Sequence, residues 1–93
     1  MDEVKIEHVP GRGFTATVEG HRILLDYRLA GGVMTIVHTE VPFALRGRGL
    51  AGRLVQAAFD YARDAGLKVV PRCAYAAEWF ERHPEYVDVV AGG

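Results

Sequence analysis

Apolar residues change their spacing once along this chain, and a glycine-rich segment sits at the change. Before it they fall on every second residue. Phe14, Ala16 and Val18 alternate with Thr15, Thr17 and Glu19, and Ile23, Leu25, Tyr27 and Leu29 alternate with Asp26 and Arg28. That is the two-residue period of strands buried on one face. After it, Leu50, Leu54, Ala58, Tyr61 and Ala62 line one stripe at helical spacing, with Arg53, Gln56, Asp60, Arg63 and Asp64 opposite. A chain with this switch folds as strands first and a helix later.

Punctuation residues set the expected boundaries. Weak alternation over residues 4–8 ends at the Pro10-Gly11 turn signal, and Gly20-His21 suits a tight hairpin. Gly31-Gly32 marks a second turn. Residues 33–41 form the longest expected strand, closed by Pro42, which has no N–H for a ladder. A helix is expected from about Gly49 to Ala65, with Gly66 as its stop. Residues 68–72 read as a short strand and residues 75–82 as a second helix with Ala76, Trp79, Phe80 and His83 on one stripe. Pro84 ends that helix, and residues 87–90 suit a last short strand.

The expected fold is α+β (mixed α/β): a mostly antiparallel sheet with one parallel strand–helix–strand crossover and a C-terminal helix. Ninety-three residues leave room for one domain, 1–93. The crossover helix covers one sheet face. The other face is short of cover, so the last helix or a second subunit is expected there, and a homodimer is a reasonable partner.

Composition excludes several functions. The net charge is −1 and the pI about 6.4, so bulk charge holds this chain on neither nucleic acid nor an anionic membrane. No apolar run approaches the roughly 20 residues of a membrane span, and the first residues carry no signal-peptide pattern. Cys73 is alone, which fits a reducing compartment, and the cytoplasm is the expected location. Cys73, His38, His83 and Glu40 lack metal-ligand spacing, so no metal is expected. His83 reads as a packed or capping residue.

The segment Arg46-Gly47-Arg48-Gly49-Leu50-Ala51-Gly52 lies between the long strand and the long helix. Glycines let backbone approach a ligand closely, and a helix N-terminus presents unpaired N–H groups and a positive dipole end. Arg46, Arg48 and Arg53 add charge that suits phosphate. Gly47, Gly49 and Gly52 also match a dinucleotide-binding fingerprint, but that motif belongs after the first strand of a larger parallel domain. A glycine-rich start to a helix with no ligand is the plain alternative.

Arg46-x-x-Gly49-x-Ala51 resembles the signature of the GNAT superfamily of acetyl-CoA-dependent N-acetyltransferases, Arg/Gln-x-x-Gly-x-Gly/Ala. The order of elements is similar. The stretches from Gly66 to Cys73, from Tyr75 to Phe80 and His83-Pro84-Glu85-Tyr86 look like a short single-domain branch. The resemblance covers about residues 3 to 87. Typical members carry helices after their first strand that help form the acceptor site; residues 4–33 here read only as strands and turns, so the acceptor is left unnamed.

The resemblance implies an acyltransferase that moves an acetyl group from acetyl-CoA to a primary amine by direct attack, the acceptor being a small molecule or a protein. The pyrophosphate would sit on Arg46, Gly47, Arg48, Gly49, Leu50, Ala51 and Gly52. The pantetheine arm would add beside Glu40 and Val41, where two strands part. Tyr75 would be an acid or a coenzyme contact. His38 and Glu40, two residues apart on one strand face, are candidate bases, and Cys73 is a candidate acid or nucleophile unless it is a core residue. A coenzyme-A-binding module without efficient transfer is the competing reading.

Overall fold

Alternation up to the glycine-rich segment builds one sheet with one dry face. In the computed structural model, which describes residues 4–92, β1 is Glu7–Val9, β2 Gly13–Val18, β3 His21–Ala30 and β4 Val33–Glu40. Helix α1 (Leu50–Ala65), strand β5 (Lys68–Pro71) and helix α2 (Ala74–Glu81) follow. Short 3-10 segments lie at Phe43–Leu45 and Pro84–Val89. The sheet order is β1-β2-β3-β4-β5, antiparallel except for the parallel β4–β5 pair. This is the mixed α+β architecture that the spacing predicts.

The inward positions of β2 to β5 are closed by the apolar stripe of α1, with Leu54, Val55, Ala58, Phe59 and Ala62 all fully buried. Gly49 caps the start of α1 in the left-handed region and Gly66 caps its end the same way, so both helix ends fall where the glycines predict. Phe59 holds α2 against α1, its ring 5.3 Å from Trp79 and 5.4 Å from Tyr86. The Tyr86 hydroxyl donates to Asp60 at 2.6 Å, and Arg63 donates to Asp88 at 2.7 Å, which fastens the last turn to α1.

Several boundaries differ from the sequence reading. The first strand is Glu7–Val9 rather than 4–8, because its pairing with Gly13 to Thr15 starts late. The β2–β3 hairpin turns at Glu19-Gly20, both with positive φ, since His21 is already paired with Val18. Leu29 is 42% exposed, lying near the Gly31-Gly32 turn beyond the helix cover. Residues 87–90 form no strand. Pro84 starts a 3-10 turn, and only Val90 meets Val69 in a single parallel bridge. Helix α2 does not cover the second sheet face; it lies beside α1 on the first, and outward Arg22, Asp26 and Arg28 are exposed.

One irregularity decides which residues at the end of β4 face the core. Asp26 pairs with His38 but Tyr27 with Ile36, so Val37 is an extra residue in β4. Met34 and Ile36 point into the core. Past the bulge, Thr39 faces inward opposite Leu25, and His38 and Glu40 face outward opposite Asp26 and Leu24.

At the β1 edge, the Gly11 N–H donates to the Tyr27 hydroxyl at 3.0 Å, which lies 2.5 Å from His8 Nε2. A neutral His8 ring with Nε2 as acceptor gives the buried Tyr27 proton a partner. Burial also lowers the His8 pKa. Stability from neutral His8 is complete above about pH 6.5 and is lost as pH falls through the lower folded value. Thermal melts at pH 7.5 and pH 5 should show this loss in the wild type and a smaller one in His8→Gln.

Candidate functional site

The parallel ladder stops at Ile36. Its carbonyl accepts from both Arg72 N–H (3.1 Å) and Cys73 N–H (3.0 Å), and Pro71 brings no N–H of its own. Beyond that point β5 turns into α2 while β4 continues to Glu40, so the two strands part. On the helix side of the gap lies a cavity of about 430 Å3. Thr39, Val41, Leu45, Arg46, Gly47, Gly49, Leu50, Ala51 and Tyr75 line it.

The glycine-rich turn forms one wall. Gly47 (φ 85°) and Gly49 (φ 74°) adopt backbone that L side chains avoid, and a Cβ on either would point into open space. Among the described residues, the N–H groups of Gly47, Gly49, Leu50 and Ala51 have no backbone acceptor; the ladder of α1 starts with Arg53 N–H on Gly49. Free donors and the positive end of a 16-residue helix face one cavity, a combination that suits an anion.

The other residues divide by what they touch. Arg46 lines the cavity, its Nε donates to the Val41 carbonyl at 3.3 Å, and its guanidinium lies 5.7 Å from the Phe43 ring. Arg48 forms a two-point ion pair with Glu19 at 2.6 and 3.3 Å, and this bond lowers the Glu19 pKa. Its side-chain charge is thus offset. Gly52 does not line the cavity: a Cβ there would meet Trp79 Nε1 and Tyr75 Oη at 3.3 Å, so its bareness serves helix packing. Arg53 is exposed.

Tyr75 stands over the first turn of α1 and reaches the cavity. Half-buried Cys73 caps α2: its Sγ accepts from Ala76 N–H at 3.3 Å and lies 3.5 Å from the Thr39 hydroxyl. His38 and Glu40 come together, Nε2 to Oε1 at 3.4 Å, but on the outer face, across the sheet from Thr39 and Val41. His83 is packed as expected, its ring 3.8 Å from Trp79 and its Nδ1 donating to the Trp79 carbonyl at 2.7 Å. Among the described residues, no three of His, Cys, Asp and Glu gather as metal ligands, and no helix is long and apolar enough to cross a membrane.

Thr39 and Leu45 are cavity residues that the sequence reading passed over. Strict alternation from Met34 places Thr39 outward, and only the bulge brings it in. Leu45 sits in the 3-10 turn that the sequence reading leaves as loop.

Comparison with known proteins decides the family. Residues 13–89 match the family model for the GCN5-related N-acetyl-transferase. The chain belongs to this family, and is an acyltransferase by that membership. It is similar to protein NATD1 of Gallus gallus, 35% identical over 85 residues, covering 87% of this chain and 77% of the relative. Human NATD1 is 35% identical over 87% of this chain and 75% of its own. Zebrafish (Danio rerio) NATD1 is 32% identical over 91% of this chain and 83% of its own. The solution structure of a GCN5-like protein from Staphylococcus aureus superposes with a TM-score of 0.76 at 26% identity. That match covers all of this chain and 93% of the other.

Capping and chemistry at Cys73 are separable. Cys73→Ala removes the acceptor for Ala76 N–H and should lower stability by about 0.5–1 kcal/mol. Cys73→Ser restores a better cap and should match or exceed the wild type. Urea midpoints of the two variants check this.

Proposed function

We propose that the protein transfers an acetyl group from acetyl-CoA to a primary amine within a ternary complex. The observation that carries this reading is the row of free N–H groups at Gly47, Gly49, Leu50 and Ala51, which faces the cavity where β4 and β5 part. Such donors suit the coenzyme pyrophosphate, with Arg46 adding charge. The pantetheine arm runs past Val41 and Thr39, and the thioester comes to the gap. Backbone N–H groups of β4 released from β5 polarise its carbonyl.

The amine attacks from the outer face. Its nitrogen bonds to the carbonyl carbon, the carbon–sulfur bond breaks, and the coenzyme leaves as a thiolate. His38 takes the amine's proton, with Glu40 steadying Nε2 so that Nδ1 carries the lone pair. The thiolate gains a proton from Tyr75 or from Cys73, both on the coenzyme side. A lone thiol in this role suits the reducing cytoplasm.

Calorimetric titration should give saturable acetyl-CoA binding, and amines should trigger release of free thiol. Absence of binding overturns the reading; binding without amine-dependent thiol release leaves a coenzyme-binding module. Gly49→Glu places a side chain and a negative charge on the phosphate seat, and should weaken binding by more than about 100-fold. Tyr75→Phe and Cys73→Ser, compared for kcat, identify the acid as the one whose loss slows turnover by about 100-fold or more.

A further inference from the structure

The sheet separates two cavities. A second one, also about 430 Å3, lies on the outer face and is bordered by Arg12, Thr15, Arg22, Leu24 and Asp26, among others. Strand register sets it beside the proposed base. Leu24 is paired with Glu40 and Asp26 with His38, so the side chains of the cavity and of the base stand on neighbouring strands about 5 Å apart.

Its charges are of both signs. Arg12 and Arg22 supply two forks of N–H donors, while Asp26 and Glu40 supply carboxylates. Among the described residues, the ion pairs are His38–Glu40, Arg48–Glu19 and Arg63–Asp88. Arg12, Arg22 and Asp26 take part in none, although they border one concavity. Leu24, half-buried between Arg22 and Asp26, gives the groove an apolar centre.

We infer that this outer groove is the acceptor site, and that it takes an amine which also carries a carboxylate. This rests on the transferase reading. The ammonium end lies against Asp26 and Glu40, within reach of His38. An aliphatic spacer crosses Leu24, and the carboxylate meets Arg22 and Arg12. A plain alkylamine leaves both arginines unmatched, and a diamine sets a second cation against them. A zwitterion matches every charged group of the groove, which makes the acceptor an ω-amino acid or an amino acid side-chain amine on a short peptide.

The test uses 15N-labelled protein titrated with 6-aminohexanoate, hexylamine and hexanoate. The zwitterion should shift amides of residues 12–15 and 22–26 saturably, with a dissociation constant at least about ten-fold below that of either half. Arg12→Gln with Arg22→Gln should erase that advantage and leave hexylamine binding unchanged, the rest of the spectrum reporting an intact fold. No saturable shift at these residues, or equal affinity for hexylamine, overturns the proposal. Thiol release that prefers hexylamine also overturns it while leaving the transferase intact. Zwitterion binding without thiol release from any amine supports the groove as a binding site and sinks the transferase reading instead.

Discussion

One carbonyl ends the parallel ladder. Ile36 accepts two N–H groups, those of Arg72 and Cys73, and so uses both lone pairs on the residues that turn β5 into α2. The next residue of β4, Val37, is the bulge. The two features act at one level of the sheet. The first opens a gap between neighbouring strands, and the second exchanges which residues face each side of it. Thr39 is thereby brought to the Cys73 thiol, and His38 and Glu40 are carried to the far face. Without the bulge the pair would face the core, where two unmatched polar side chains are costly.

The glycine-rich turn is held by contacts away from its open donors. Gly52 lets α1 lie close to Tyr75 and Trp79, and the Arg48–Glu19 pair links the turn to the β2–β3 hairpin. Both partners of that pair are largely exposed, so its contribution is to position more than to stabilise. With Arg48 engaged, what the turn would offer an anion is its backbone N–H groups and the helix dipole, with Arg46 beside them. Backbone donors are already oriented and lose little entropy when a ligand arrives.

Much of this was legible in the sequence, because period and punctuation are local signals. The switch at Pro42 to Gly49 gave the order of elements, and Gly49 and Gly66 gave both ends of α1. The cavity wall at Gly47 and Gly49 followed from the same residues. What escaped depends on contacts distant in the chain. No local signal in residues 33–41 marks the bulge at Val37, which shows only in the register with Tyr27 and Asp26. Arg48 reads as a free cation until the fold brings Glu19 beside it. Residues 87–90 have the composition of a strand, yet Pro84 and the Tyr86–Asp60 bond set a 3-10 turn first.

The uncovered sheet face has a different meaning once its residues are placed. A sheet with helices on one side needs an apolar partner only if its outer positions are apolar. Obligate subunit interfaces resemble a core cut in half, depleted of charge at the centre. Here Arg22, Asp26 and Arg28 project outward along β3, with Leu24 half-buried among them. That stretch of β3 suits water, whereas Val70 of β5, 36% exposed on the same face, is an apolar position. The buried core lies on the face that α1 and α2 cover together. On the transferase reading, a hydrated amine would approach the gap from the opposite face, where Arg22, Asp26 and Arg28 are exposed.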